Sequence, residues 1–516
     1  MTTGLTSFIP VSKWESVSQL DLLLINPGGR HQVYQDLGNE LTAIEPPVWC
    51  GFIATALRNK GLSVKILDAE AEGFGPEAVA RRVEEEKPLL VAVMVYGHQP
   101  SASTQNMPAA GAICSAIKKC LPQQKVIISG THPAALPEQT LREEAVDFVC
   151  DGEGPATFHR LLQVLQSDKP TDYSSVLSLW HREGDKIRSN PPAPLMKELD
   201  QEMPMMAWDL LPMEKYRAHN WHCFGDLQRK PYAAFYTTLG CPYHCSFCCI
   251  QAPFKAGEKG IGMREEVNSY RAWSPKVVVD QMELLATRYG VRNIKIEDEM
   301  FVLNEKHVLG ICDLIIERGL KFNIWAYARI DTVRDSMLPK LKRAGFNWLG
   351  IGIESASKYV RDGVDKSFGK KDIMEVCRKI RDAGICIGAN FIFGLPDDTL
   401  ESMQATLDMA IELCPDWANF YSAMAYPGSA LYTLAVEKNW KLPESWIGFS
   451  QHAYETLPLP TETLSSGQVL AFRDEAFRIF FSHPRYLSYV KERFGRETVE
   501  HIQEMTQLSL KRKYAA

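Results

Sequence analysis

The chain alternates short, nearly continuous apolar runs with amphipathic stretches, and it does so twice. In the first series, residues 22–26, 63–67, 89–95, 126–129 and 146–150 read as strands buried on both faces. Apolar residues three and four apart mark helices between them, the first over 48–60 and closed by Gly61. Such a succession predicts a doubly wound parallel sheet, whose ligands bind outside the carboxyl ends of its strands. Gly- and Pro-rich turns stand at those ends: Asn26-Pro27-Gly28-Gly29, Tyr96-Gly97-His98, Gly130-Thr131-His132-Pro133 and Gly152-Glu153-Gly154-Pro155.

Residues 168–230 are richer in Pro, Met and polar side chains and poorly periodic, which predicts a connector with a few short elements. A second series then begins, with strands predicted at 233–238, 293–296, 323–328, 348–353, 387–393 and 417–421. Helices are predicted at 275–289, 305–318, 335–344, 371–383 and 400–413. The first of these carries Ser274 as N-cap and Pro275 at its first position. Six strand–helix units suit a partial β/α barrel, and the stretch from Leu431 onward reads as mostly helical, with aromatics spaced for core packing. The division expected is a Rossmann-like domain (1–167), a connector (168–230), a barrel (231–432) and a helical C-terminal domain (433–516).

Composition narrows the class. With 516 residues, 45% apolar, and a net charge of -6, the chain reads as a soluble protein of several domains. No run approaches the roughly 20 apolar residues of a membrane span, and residues 1–19 lack the pattern of a secretory signal, so a cytoplasmic location is expected. The basic cluster Lys511-Arg512-Lys513 is too small to imply nucleic acid and reads as a solvated helix end. Thirteen cysteines are scattered rather than framed in pairs, which argues against a disulfide scaffold. Cys114, Cys312, Cys377 and Cys414 fall in predicted helices as small hydrophobes.

One cysteine group is different. Cys241, Cys245 and Cys248 stand at Cys-x-x-x-Cys-x-x-Cys spacing directly after the first strand of the second series. Soft thiolates so close select zinc or an iron–sulfur cluster. A structural zinc wants four ligands, which Cys249 or His244 could complete. Adjacent Cys248 and Cys249 point apart on an extended chain, however, and three thiolates suit a [4Fe–4S] cluster with one iron left open.

This loop resembles the signature of the radical S-adenosylmethionine (SAM) superfamily, with Phe247 at the aromatic position before the last cysteine. The resemblance implies that the open iron chelates the methionine part of SAM and that Phe247 lies near its adenine. Further positions are similar to the branch that carries an N-terminal cobalamin-binding domain. Glu297-Asp298-Glu299-Met300-Phe301 follows the second strand, where relatives carry an acidic pair or Gly-Gly-Glu. The resemblance assigns the SAM ammonium to an acidic residue there, Asp298 or Glu299, with Glu297 as the third possibility. Arg329 would pair with the SAM carboxylate, Glu354 would reach the ribose hydroxyls, and Gly394 marks a later turn of the family. Singly, Arg329 or Glu354 is more often a surface ion pair, and Gly394 an ordinary turn residue. Together they fall at successive strand ends on one barrel face, where such barrels build their active sites.

The front sheet could serve a flavin, a nicotinamide or a cobalamin. No Gly-x-Gly-x-x-Gly follows its first strand, which argues against a dinucleotide, and Gly152-Glu153-Gly154 is only a partial match at a helix start. The order of its turns resembles the cobalamin domains that precede radical SAM barrels. That resemblance makes Asn26, Pro47, Gly97, His98, Gly130, Thr131, His132, Gly152, Glu153 and Gly154 the expected cobalamin contacts. Asp-x-His-x-x-Gly is absent, so the histidine ligand it supplies to cobalt should be absent too.

The resemblance implies a cobalamin-dependent radical SAM methyltransferase acting on an unactivated carbon, less often phosphorus, of a small molecule. Its cofactors would be a [4Fe–4S] cluster, SAM and cobalamin, and an external donor such as flavodoxin or ferredoxin would supply electrons. Cleavage of SAM would yield a 5′-deoxyadenosyl radical that takes a hydrogen from the substrate before methyl transfer from methylcobalamin. Cyclisation, rearrangement or oxidation with the same cofactors is the first alternative, and a zinc–thiolate scaffold the non-enzymatic one. Regions 168–230 and 433–516 are where substrate selectivity is expected.

Overall fold

Leu22, Leu23, Leu24 and Ile25 are all buried, so β1 (Leu22–Asn26) has no solvent face and lies inside a sheet. In the computed structural model, which describes residues 19–35, 42–97, 101–167, 172–225 and 228–514, β1 pairs in parallel with β2 (Val64–Asp68) and β3 (Leu90–Val95). The sheet continues in parallel through β4 (Lys125–Gly130) to β5 (Phe148–Cys150). The region expected to be only a connector extends it. An antiparallel hairpin of β6 (Leu179–Glu183) and β7 (Lys186–Ser189) joins the β5 edge, giving the order β2-β1-β3-β4-β5-β6-β7. The hairpin carries no apolar run because β7 sits at the edge, with only Ile187 partly covered. Trp180 anchors it, its indole N–H donating to Asp151 Oδ2 at 2.7 Å.

The second series forms six parallel strands: β8 (Tyr232–Phe235), β11 (Asn293–Ile296), β12 (Asn323–Arg329), β13 (Phe346–Glu354), β14 (Cys386–Phe393) and β15 (Trp417–Ser422), in the order β8-β11-β12-β13-β14-β15. This is the expected partial barrel. The strand expected at 233–238 is split, because β8 ends at Phe235 while Thr238 starts β9 (Thr238–Leu239), which pairs with β10 (Arg271–Ala272). Asp298 causes the break by accepting the backbone N–H groups of Thr237 and Thr238 at 2.6 and 3.0 Å. Ser274 caps the helix Pro275–Arg288, as its spacing predicts.

Past the barrel come the helices Ser466–Ser482, Pro484–Phe494 and Arg496–Gln507, and the first packs its aromatics on β15, with Phe481 4.8 Å from Trp417 and Phe480 5.5 Å from Phe420. One hydrophobic core runs from a face of the front sheet through Trp208 and Tyr216 into the barrel and on to Phe480. Phe52 of the front domain stacks on Trp273 beside the barrel, ring centres 4.7 Å apart. No helix among the described residues is long and apolar enough to cross a membrane.

Gly130 ends β4 at φ +153°, and a Cβ there would sit 2.1 Å from the Val95 carbonyl oxygen of β3. Gly130→Ala is expected to cost about 1–3 kcal/mol, because the clash is with backbone that cannot rotate away. Its denaturation midpoint should fall, and an unchanged midpoint would show that the two strand ends separate freely.

Candidate active site

At the carboxyl ends of the barrel strands lies a cavity of about 850 Å³, walled by the cysteine loop, by β11 to β15 and by C-terminal residues. Gly240 turns the chain out of β9 at φ +83°, a conformation that keeps its α-carbon against Ser269, whose carbonyl oxygen a Cβ would meet at 2.2 Å. The loop it opens presents Cys241, Cys245 and Cys248 to this one cavity, with Cys249 beside them. Its middle is pinned from two sides: Ser246 N–H donates to the Val364 carbonyl, and Leu431 N–H to the Ser246 carbonyl at 2.8 Å.

Burial pushes the Cys241 thiol up to about 12, and raises Cys245 and Cys248 as well. Thiols so placed become thiolates only beside a strong positive charge, which a metal centre supplies. Among the described residues no three His, Cys, Asp or Glu side chains converge as the ligands of a single ion do. A zinc ion draws its donors to within roughly 2.3 Å of one point. Three thiols on one cavity wall, with Cys249 beside them, offer the soft sulfur donors that an iron–sulfur cluster takes.

The three acidic residues after β11 divide sharply. Asp298 is fully buried and turned away from the cavity, with its carboxylate spent on Thr237 and Thr238. Of the acids expected at SAM, Asp298 is thus the one that does not line the cavity. Glu299 lines the cavity, and burial pushes its carboxyl up to about 7. Glu297 also lines it and is ion-paired at 2.9 Å with Lys295, itself 1% exposed. Lys295 also meets both oxygens of Glu45, from the front domain, at 3.2 Å, and lies 4.9 Å from the Trp325 ring centre. Burial works against the Lys295 ammonium, yet Glu297 and Glu45 outweigh it and hold the lysine charged.

Arg329 is locked at the end of β12. Its guanidinium makes a bidentate pair with Asp331 at 3.0 and 3.2 Å, lies 3.9 Å over the Tyr243 ring, and donates to the Cys245 sulfur at 3.5 Å. Glu354 ends β13 at φ +65°, a conformation rare outside glycine, and is held there by an ion pair with Lys366. Lys366 in turn sits 5.9 Å from the Phe247 ring centre. Cysteine loop, Phe247, Glu299, Arg329 and Glu354 therefore share one chamber. Gly394 does not belong to it. Its turn packs on the helix Ser466–Ser482, where a Cβ would meet Val469 at 2.4 Å.

A second cavity, of about 90 Å³, lies at the carboxyl ends of the front strands and is lined by Asn26, Pro47 and Gly97 among others. Tyr34, Thr42, Gln105 and His219 line both cavities, so the two adjoin. Thr131 faces a narrow space between the domains, with Gly97 and Glu299. Several of the residues expected to contact cobalamin have partners within the protein. His132 is buried between Thr104, at 3.2 Å, and Trp446, at 4.5 Å, and burial drives its pKa down to about 3. Glu153 clamps the domains together, accepting from Met196 N–H at 2.8 Å and pairing with Arg271 at 2.7 Å. Gly130, Gly152 and Gly154 make room for Val95, Ser178 and Ile53. His98 lies outside the described residues.

Several wall residues went unread in the sequence. Lys295 is the lone charge in an apolar strand, two residues before Glu297 and so on the same face, which was an available signal. Tyr327, Asn390 and Tyr421 stand at alternate inward positions of their strands and line the cavity. Arg512 reverses the expectation of a solvated helix end. It lies beyond the last helix with its side chain 3% exposed, paired with Asp474 and donating to the carbonyls of Gln451 and Ala453.

This arrangement defines a radical SAM barrel joined face to face with a cobalamin-type domain. The B12 binding domain model matches residues 34–162 and the Radical SAM superfamily model residues 235–410. The chain thus carries a B12-binding domain followed by a radical SAM domain. It is 28% identical over 445 residues to a protein of Pyrococcus horikoshii named as an uncharacterised methyltransferase, covering 86% of this chain and 89% of that one. It is 25% identical to the anaerobic magnesium-protoporphyrin IX monomethyl ester cyclase of Cereibacter sphaeroides, covering 89% of this chain and 71% of that one. The radical SAM methyltransferase TsrM of Kitasatospora setae, solved with cobalamin and a [4Fe–4S] cluster, shares the fold with a TM-score of 0.63 at 18% identity, over 82% of this chain and 75% of that one.

Proposed function

We propose that this enzyme transfers a methyl group to an unactivated carbon of a small molecule, using a [4Fe–4S] cluster, SAM and cobalamin. The observation that carries the reading is the junction of the two cavities, one opening on three thiols and the other on the carboxyl ends of the front sheet. When bound, the cluster and SAM supply a hydrogen-abstracting radical, and cobalamin supplies the methyl group. Cys241, Cys245 and Cys248 hold the cluster. Arg329, already oriented by Asp331 and Tyr243, receives the SAM carboxylate, and Glu299 receives its ammonium. Glu354 with Lys366, beside Phe247, accounts for the nucleoside end. Trp325, Tyr327, Trp417 and Tyr421 wall the inner part of the chamber with aromatic surface, which favours a substrate with an apolar or planar body and excludes water from the reacting centre. An external one-electron donor such as flavodoxin or ferredoxin completes the scheme.

Protein produced with cobalamin and purified without oxygen is expected to hold about four irons and one cobalt per chain. Iron without cobalt would remove the methyl-transfer step, and zinc alone would remove the catalytic reading. Supplying SAM with a labelled methyl group distinguishes methylation from cyclisation: label in the product supports the first, its absence the second.

A further inference from the structure

The backbone of the first cysteine of the loop, Cys241, is held by a buried polar network behind the cavity wall. Cys241 N–H donates to Gln251 Oε1 at 3.2 Å. The other end of that amide, Gln251 Nε2, has three acceptors: Glu258 Oε1 at 2.5 Å, and the Ser269 carbonyl and hydroxyl oxygens at 3.2 Å each. With the NH₂ group so committed, only the oxygen can face Cys241, which settles the orientation of the side chain. Glu258 Oε1 also accepts Ser269 N–H at 2.6 Å, and Oε2 meets Lys255 at 3.1 Å. Gln251, Glu258 and Ser269 are all more than nine-tenths buried. Burial penalises the Glu258 carboxylate, but the donors from Ser269, Gln251 and Lys255 outweigh it and bring its pKa below the ordinary carboxylate range. A charged, fully partnered carboxylate in the interior costs several kcal/mol to desolvate, and an apolar cluster of that size would pack at no such cost.

We infer that Gln251 and Glu258 are positioning residues for the cluster: they orient the Cys241 peptide and keep its N–H away from the sulfur atoms. This rests on the reading of Cys241 as a cluster ligand. Hydrogen bonds to cluster sulfurs and nearby charge are among the factors that set a cluster's reduction potential. An N–H engaged by Gln251 is withheld from sulfur, and a negative charge on Glu258 disfavours adding an electron. Both effects hold the potential low, as a strongly reducing centre requires. The other two thiols are governed by different partners, Cys245 by Arg329 and Cys248 through its own N–H to the Cys245 carbonyl at 3.0 Å.

The test uses full-length protein with reconstituted cluster and no substrate. Gln251→Leu keeps the volume and removes the amide, Glu258→Gln keeps the shape and removes the charge, and Lys255→Met serves as a control on the exposed partner. Iron content, the reduction midpoint and the EPR signal of the reduced cluster are measured for each. Both network variants are expected to have a midpoint more positive than wild type, with Gln251→Leu also altering the EPR signal, while Lys255→Met changes the midpoint less than either. Loss of iron from a network variant with wild-type circular dichroism supports the same role in its extreme form. Wild-type midpoint and EPR signal in both iron-loaded variants would overturn the inference while leaving the cluster in place. Absence of iron from wild type itself would overturn the cluster reading, and this inference with it.

Discussion

Cys245→Ala is expected to abolish SAM cleavage while cobalamin stays bound. Cys245 stands in the middle of the loop, on the wall of the larger cavity, with Arg329 donating to its sulfur. Removing it leaves two thiols of three. Losses in the outer shell of a metal site alone cost roughly 10–100-fold in affinity or activity, so the loss of a ligand should exceed that. The side chain is small and only partly buried, so the fold should lose less than about 1 kcal/mol. The front cavity, lined by Asn26, Pro47 and Gly97, is built from a different sheet and should be untouched. Anaerobic assay of 5′-deoxyadenosine, iron content and the visible absorbance of bound cobalamin check the three parts together. Cleavage at more than about a tenth of the wild-type rate would remove Cys245 from the cluster.

Lys295→Met should be the most damaging single change outside the loop. The ammonium is buried between Glu297 of the barrel and Glu45 of the front domain, 250 residues away in sequence. Methionine fills the space, but it leaves two carboxyl groups facing each other in an apolar interior without the ammonium between them, while the Tyr232 hydroxyl still donates to Glu45 at 3.0 Å. Breaking a buried pair from one side costs about 3–5 kcal/mol. The deficit should depend on pH in a definite direction. Burial already pushes Glu297 above the ordinary carboxylate value of 4.5, and losing the lysine pushes it further. A carboxyl with a raised folded-state pKa favours the folded state below its unfolded value and loses that advantage as pH rises towards the folded one. The variant should therefore be nearest to wild type around pH 4.5 and fall behind as pH rises. Adding Glu297→Gln to it should recover part of the loss, with a coupling of roughly 0.5–3 kcal/mol. A deficit that is independent of pH would show that the charge balance at this junction is unimportant.

Local patterns carried much of the fold. Each of the five parallel front strands and five of the six barrel strands appears within a few residues of its expected place, because a strand covered on both faces must be apolar along its length. The hairpin Leu179–Glu183 and Lys186–Ser189 escaped because an edge strand needs no such run. The cysteine triple was legible because a cluster loop takes its ligands from one short segment. Chemistry alone cannot separate the three successive acids Glu297, Asp298 and Glu299. Alternation places Glu297 and Glu299 on one side and Asp298 on the other, and the geometry bears that out.

By itself, then, the sequence determined two α/β units in order, a thiol loop at the mouth of the second, and the acidic and basic residues at successive strand ends. These depend on neighbours a few residues apart, and short-range pattern records them. Only the tertiary structure decided that Glu45 meets Lys295, that Glu153 pairs with Arg271 and His132 packs on Trp446, and that Arg512 is buried in the chamber wall. Each of these joins segments far apart in the chain. A charged residue looks the same in sequence whether water or a distant partner solvates it, and the fold alone settles which.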